Sequence, residues 1–255
     1  MELNEDVVDI IVPFFRTPDG EKNLEALKQS LEDVNPGFPY RLIIAEGQRP
    51  CIQNRNAGLK QSSTRYFVMV DDDVVFIQKN WLKDAVEKIK SEPRIGAVGF
   101  RIENKDGKVI NAGRMLFPGK DPNDKPINLS VDCVEFGDGN EYKNILKHNV
   151  AGCCILIDRL VAGYYPEAIY PGKINAEDVD YMMTIQANGF SILYLGTVAV
   201  IHNEKSPEEK LDKYKLTDAD VTNHVVFRKR WDIIPGKFKN KPEDDEKTDD
   251  SNNGK

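Results

Sequence analysis

The chain has 255 residues, 40% hydrophobic and 30% charged, which is ordinary for a globular protein and enough to bury a sizeable core. A net charge of −7 excludes a general nucleic-acid binder, which needs a basic footprint, but leaves room for a nucleotide whose phosphates a cation bridges. No stretch has the apolar length to cross a bilayer, and residues 1–9 carry four acids and no signal-peptide core, so the expected location is cytoplasmic or peripheral to a membrane. Cys51, Cys133, Cys153 and Cys154 form no CxxC pair and read as thiols in a reducing compartment, not as zinc ligands.

In chain order, residues 7–13 (VVDIIVP) predict a first strand ended by a proline, and Leu24, Leu27 and Leu31 mark one face of a helix over 21–31. A second strand is predicted over 41–45 and a short helix over 52–61. The apolar run Tyr66-Phe67-Val68-Met69-Val70 reads as a buried strand, followed at once by Asp71, Asp72 and Asp73. Trp81, Ala85, Val86 and Ile89 predict an amphipathic helix, and 95–102 a fourth strand. Strands and helices alternating at this spacing imply an α/β fold with a mostly parallel, nucleotide-binding sheet.

The pattern then changes. Asn104-Lys105-Asp106-Gly107 is a hairpin-turn signal, and residues 118–126, rich in Pro, Asp, Asn and Lys, read as a surface loop. Strands are predicted over 150–157, 191–195 and 198–201, with helices over 178–186 and 218–231. From Lys237 onward the chain has almost no apolar residues and reads as a disordered charged tail.

Carboxylates at a strand's carboxyl end lie where open α/β sheets bind ligands, and a cluster this dense calls for a cation. A hard divalent ion such as Mn²⁺ or Mg²⁺ takes oxygen ligands and leaves positions for phosphate oxygens. Three other segments fit the same site. Glu46, after the second strand, suits a base or ribose, or is a plain loop residue. Asn54-Arg55-Asn56-Ala57-Gly58 opens a helix, where arginine and backbone amides suit a diphosphate or hold the neighbouring acidic loop; capping by an asparagine is the simpler account. Glu177-Asp178-Val179-Asp180 begins another helix, whose dipole alone accounts for carboxylates, although a general base would need the same placement. His202 ends a strand, as a metal ligand beside carboxylates or as a polar loop residue. His148 and His224 have no such context.

The order Ile11-Val12-Pro13, Arg55-Asn56-Ala57-Gly58, Asp71-Asp72-Asp73, Gly152 in an apolar strand, Glu177-Asp178-Val179-Asp180, then His202, resembles family 2 glycosyltransferases of the GT-A fold. The resemblance spans roughly residues 7–203. It implies a GT-A-like single domain over 1–236: a nucleotide-sugar half near 7–102, merged with a smaller mixed acceptor-side sheet in 103–236. It further implies a metal-dependent transfer of a sugar from a nucleoside-diphosphate donor, with uridine the expected base, to a glycan or other hydroxyl-bearing acceptor. By the same resemblance Glu46 meets the nucleobase, and Asp71, Asp72, Arg55 and Gly152 serve the donor. Asp73 and His202 would bind Mn²⁺ or Mg²⁺ in the Asp-x-Asp manner, and Asp178 would act as general base with inversion. Glu46 in Ala45-Glu46-Gly47-Gln48 departs from the usual Asp-Asp-Gly-Ser-like stretch. A retaining enzyme of the same fold and a noncatalytic sugar-nucleotide or glycan-binding module are the alternatives. A nucleotidyltransferase fits less well, because no glycine-rich loop follows the first strand.

Overall fold

The computed structural model describes residues 3–47, 51–120, 124–136, 140–170, 176–203, 218–231 and 233–235. The expected tail over 237–255 lies outside the described residues, as do Gln48 and residues 171–175.

The first half follows the apolar spacing. β1 (Val8–Phe14) pairs in parallel with β2 (Tyr40–Glu46) and with β3 (Tyr66–Val70). Alternation along β1 sends Ile10 and Val12 into one core cluster and Ile11 into the other, so the strand is buried on both faces. α1 (Pro18–Val34) starts earlier than the leucine spacing alone predicts, because Thr17 caps it by accepting from Gly20 N at 3.0 Å and Pro18 opens its first turn. Leu24, Leu27 and Leu31 face the core as expected. α2 (Cys51–Gln61) covers the other face through Ile52 and Leu59. α3 (Trp81–Ser91) follows β4 (Val74–Phe76), and Trp81 stacks on Phe76 at 4.2 Å between ring centroids.

Among the described residues the main sheet has nine strands in the order β2-β1-β3-β10-β5-β11-β4, with β6 (Val109–Asn111) on β5 and β9 (Asn144–Lys147) on β11. It is parallel at the β2-β1-β3 side and mixed beyond. β5 (Ile95–Glu103) does not neighbour β3; β10 (Cys154–Asp158) lies between them, antiparallel to both. All five β10 residues are buried, and only a central position covers such a run on both faces. The two strands expected over 191–195 and 198–201 are one, β11 (Ser191–His202), with a register shift against β5 between Leu195 and Ala199. α4 (Arg159–Ala162) and α5 (Glu177–Ala187) connect β10 to β11.

The loop expected over 118–126 is shorter than the composition suggests. β7 (Arg114–Lys120) and β8 (Pro126–Asp132) form an antiparallel pair that reaches Lys120↔Pro126. Both prolines are compatible with strands here: Pro118 is on the edge strand β7, and Pro126 is the first residue of β8. β12 (Ile233–Pro235), following α6 (Asp218–Trp231), completes this small second sheet in parallel with β8. The four cysteines are free, three of them buried and Cys51 half-buried. Among the described residues no helix is long and apolar enough to cross a membrane.

Candidate active site

The aspartate cluster is fixed by its neighbours. Asp71 N donates to Cys153 O at 2.8 Å, at the entry to β10, and Asn203 N donates to Asp73 O at 2.9 Å. β4 pairs with β11 so that Val74 stands opposite His202. That short strand, which has no signal of its own in the sequence, places His202 Nε2 3.1 Å from Asp73 Oδ1.

Asp71, Asp73 and His202 each offer a ligand atom, and these atoms all lie within 4.8 Å of one another. Two carboxylates and an imidazole suit Mn²⁺ at this spacing, while Mg²⁺, which takes oxygen ligands, would rest on the two carboxylates. The electrostatics agree with a place for a cation. Burial pushes the Asp71 carboxyl up, Arg55 counters it and Asp73 adds to the rise. Burial opposes a charged His202, yet the Cys153 and Asp73 groups beside it push the imidazole up to about 11. Asp72 points elsewhere: a Cβ added at Gly20, in the first turn of α1, would lie 3.1 Å from Asp72 Oδ2. This puts the middle carboxylate at the positive end of that helix and away from the ligand cluster.

Arg55 is 4% exposed and sits in the second turn of α2, since the helix begins at Cys51. Its Nη2 is 3.2 Å from Asp71 Oδ1, its Nη1 3.5 Å from Glu177 Oε1, and its guanidinium faces the Tyr165 ring at 5.4 Å. The arginine therefore holds the acidic loop, the second of its two readings, and does not stand with free helix-end amides. Capping by an asparagine is not what the neighbours do either. Asn54 Nδ2 donates to Gly47 O at 3.0 Å. Asn56 Nδ2 donates to Tyr165 O at 3.0 Å and to Glu167 Oε2 at 2.8 Å, and Tyr165 N donates back to Asn56 Oδ1 at 2.8 Å. One turn of α2 thus ties together the segments after β2, after β3 and after the short helix Arg159–Ala162.

Asp178 is brought against Gly152. A Cβ built on Gly152 would lie 2.6 Å from Asp178 Cβ and 2.8 Å from Cγ, with Oδ2 nearer still. Residue 152 has no side chain, and the carboxylate takes that space. Glu177 beside it is buried, and among the described residues its Oε2 has no hydrogen-bond partner. Burial pushes its carboxyl up to about 7, against the pull of Arg55 and reinforced by Asp178.

Glu46 ends β2 directly opposite Phe14. Both of its oxygens accept from Arg16, at 2.7 Å each, and this bonding holds its carboxyl below the usual range. Arg16 carries no motif and only its contacts reveal it, while Asn56 lies in a motif that gave no hint of its partners Tyr165 and Glu167. His148 is a structural acceptor, taking the Leu116 amide at 2.9 Å. The side chain of His224 is outside the described residues.

An α/β sheet of this order, with acidic residues and a histidine gathered at the carboxyl ends of its strands, is the GT-A architecture. The chain belongs to glycosyl transferase family 2, whose sequence profile matches residues 18–162. No curated protein matches the sequence. Among solved structures it is similar to GalNAc-T7 with UDP, GalNAc and Mn²⁺, at 16% identity and a TM-score of 0.53 over 91% of this chain and 49% of that one. It is similar also to TarS of S. aureus, at 16% identity and a TM-score of 0.51 over 87% of this chain and 42% of that one. A shorter piece of that protein, TarS 1–349 in complex with UDP, gives 17% identity and 0.51 over 87% and 70%. At these identities the likeness is one of fold. The chain spans about half, or less, of the length of GalNAc-T7 and of the longer TarS structure.

Proposed function

We propose that the protein is a glycosyltransferase that moves a sugar from a UDP-sugar to an acceptor hydroxyl, with a divalent metal and inversion of configuration. The observation that carries this reading is the gathering of Asp71, Asp73 and His202 within 4.8 Å, in one site with an Asp178 that Gly152 leaves room for. The solved relatives with UDP, and with Mn²⁺ in one case, support the donor and metal class.

Asp73 and His202, with Asp71, would hold Mn²⁺ or Mg²⁺, which when bound neutralises charge on the departing diphosphate. Glu46, at the carboxyl end of β2, would meet the base, with Arg16 holding its carboxylate. Arg55 would keep Asp71 in place from beneath. Asp178 would take the proton from the attacking acceptor hydroxyl, on the face of the sugar opposite the diphosphate. A single base is sufficient, because a diphosphate leaves without being protonated. Residues 1–236 would form the functional domain, with 237–255 outside it. The free cysteines suit a reducing compartment.

A thermal-shift panel of UDP-, GDP-, CDP- and ADP-sugars with and without Mn²⁺ tests the proposal. A specific donor at a hundred times its Kd stabilises by about 2.7 kcal/mol. The expected result is a shift with UDP-sugars that requires the metal; no shift with any nucleotide sugar in Mn²⁺ or Mg²⁺ would contradict the proposal.

A further inference from the structure

The first turn of α5 carries Asp178, and among the described residues no side-chain cap fixes it. Its N-cap, Ala176, has φ 67 and provides no side-chain cap. A left-handed alanine costs on the order of 1 kcal/mol, so other contacts must impose this geometry. Glu177 lies under Arg55 on one side, and Asp178 rests on Gly152.

Asp180 is the remaining anchor. Residues two apart on a helix point about 200° apart, so Asp180 faces away from Asp178. It is fully buried. Its Oδ2 accepts from Tyr170 Oη at 2.7 Å and from Trp231 Nε1 at 2.7 Å, and lies 3.5 Å from Arg230 Nε. Among the described residues its Oδ1 has no hydrogen-bond partner. Tyr170 follows the short helical turn Glu167–Ile169, whose Glu167 is bonded to Asn56 of α2; Trp231 is the last residue of α6. One carboxylate oxygen therefore joins α5 to the segment just before it, through Tyr170, and to α6, 51 residues further along the chain.

A fully buried carboxylate is a costly way to pack a helix, and an apolar side chain would do it at less cost. What the carboxylate adds is direction: two short hydrogen bonds aim the turn, where apolar packing would tolerate sliding. We propose that Asp180 is a positioning residue, clamped by Tyr170 and Trp231, that sets the pose of Asp178, so that transfer depends on α6. The proposal rests on the reading of Asp178 as the base.

Tyr170→Phe removes one donor and keeps the ring, and Trp231→Phe removes the other while leaving a smaller aromatic ring in its place. The readouts are UDP release from a panel of UDP-hexoses in Mn²⁺ with water as acceptor, and amide exchange over residues 177–182. The double variant, or either single one if the double does not fold, should lower kcat about tenfold or more, the scale of a sub-ångström to ångström misplacement. The donor KM should stay within about twofold, because the donor ligands do not touch the clamp. Exchange over 177–182 should quicken. Asp180→Asn, which keeps an acceptor oxygen for both donors, should retain transfer, while Asp180→Ala should lose it. Unchanged kcat and unchanged exchange in the Phe variants would overturn the clamp, as would equal loss in Asp180→Asn and Asp180→Ala. A merely structural role would lower Tm and leave the split between kcat and KM unmoved. If Asp178→Asn itself released UDP normally, the base assignment would fail, and the exchange measurement would still judge the clamp.

Discussion

Gly152→Ala adds a single methyl group at the point where the geometry of the site is tightest. Gly152 does not have a left-handed φ, so alanine's backbone preferences are not the obstacle. The obstacle is space: the new Cβ would stand 2.6 Å from Asp178 Cβ and 2.8 Å from its Cγ, where carbon atoms normally sit about 3.5–4.0 Å apart. Rotating Asp178 about χ1 cannot relieve the contact with its own Cβ. Either the start of α5 or the approach to β10 must move by about 1 Å. A misplacement of that size costs about a hundredfold in rate, or about 2.7 kcal/mol of transition-state stabilisation. Overpacking of a buried site also lowers stability, by about 1–3 kcal/mol. The expected result is a folded protein with a lower Tm, UDP binding in Mn²⁺ nearly unchanged, and transfer reduced about a hundredfold. Transfer within a few-fold of the unaltered protein, at a temperature where the variant is folded, would refute the reasoning that Gly152 makes room for a working Asp178.

Three further outcomes are expected. Asp73→Ala should abolish both transfer and the Mn²⁺-dependent thermal shift with UDP, and isothermal titration with Mn²⁺ would expose a retained site if the ligand assignment were wrong. Glu177, pushed up from 4.5 to about 7, binds its proton more tightly in the folded than in the unfolded chain. Its effect is to favour the fold below about pH 4.5, an effect lost progressively as pH rises through about 7. Denaturant titrations of the protein and of Glu177→Gln between pH 5 and pH 8 should therefore show the unaltered protein losing stability relative to the variant; parallel curves would contradict this. A chain ending at Gly236 should keep Tm and activity, because the residues beyond offer little apolar surface to offset the entropy of ordering them. A fall in Tm would show that they dock.

Much of this was legible in the sequence because the relevant signals are local. Five apolar residues followed by three aspartates read as a buried strand ending in carboxylates, and β3 is fully buried, with Asp71 and Asp73 gathered beside His202. Leu24, Leu27 and Leu31 likewise point into the core. Elements decided by distant pairing were not legible. An apolar run such as Cys154–Asp158 reads the same whether it pairs in parallel or antiparallel, so the insertion of β10 between β3 and β5 left no trace in its composition. β4 is too short for periodicity, although its pairing with β11 is what carries His202 to Asp73. Proline-rich residues 118–126 resemble a loop until the edge position of β7 is known. Arg55 was legible as important but not in orientation, since its partners Asp71 and Glu177 come from two other parts of the chain. Asn56 and Tyr165 are 109 residues apart, and nothing in either segment announces the other.

The central claim is that Asp178 takes the acceptor's proton, and the most direct measurement is the transfer rate of Asp178→Asn beside its affinity for UDP in Mn²⁺. Asparagine keeps the size of the side chain and fits the space at Gly152, but cannot accept a proton. The account predicts a stable protein with nearly unchanged UDP affinity and transfer reduced by at least about a hundredfold, the scale of general-base catalysis. A stable Asp178→Asn protein that transfers sugar at the normal rate would contradict it.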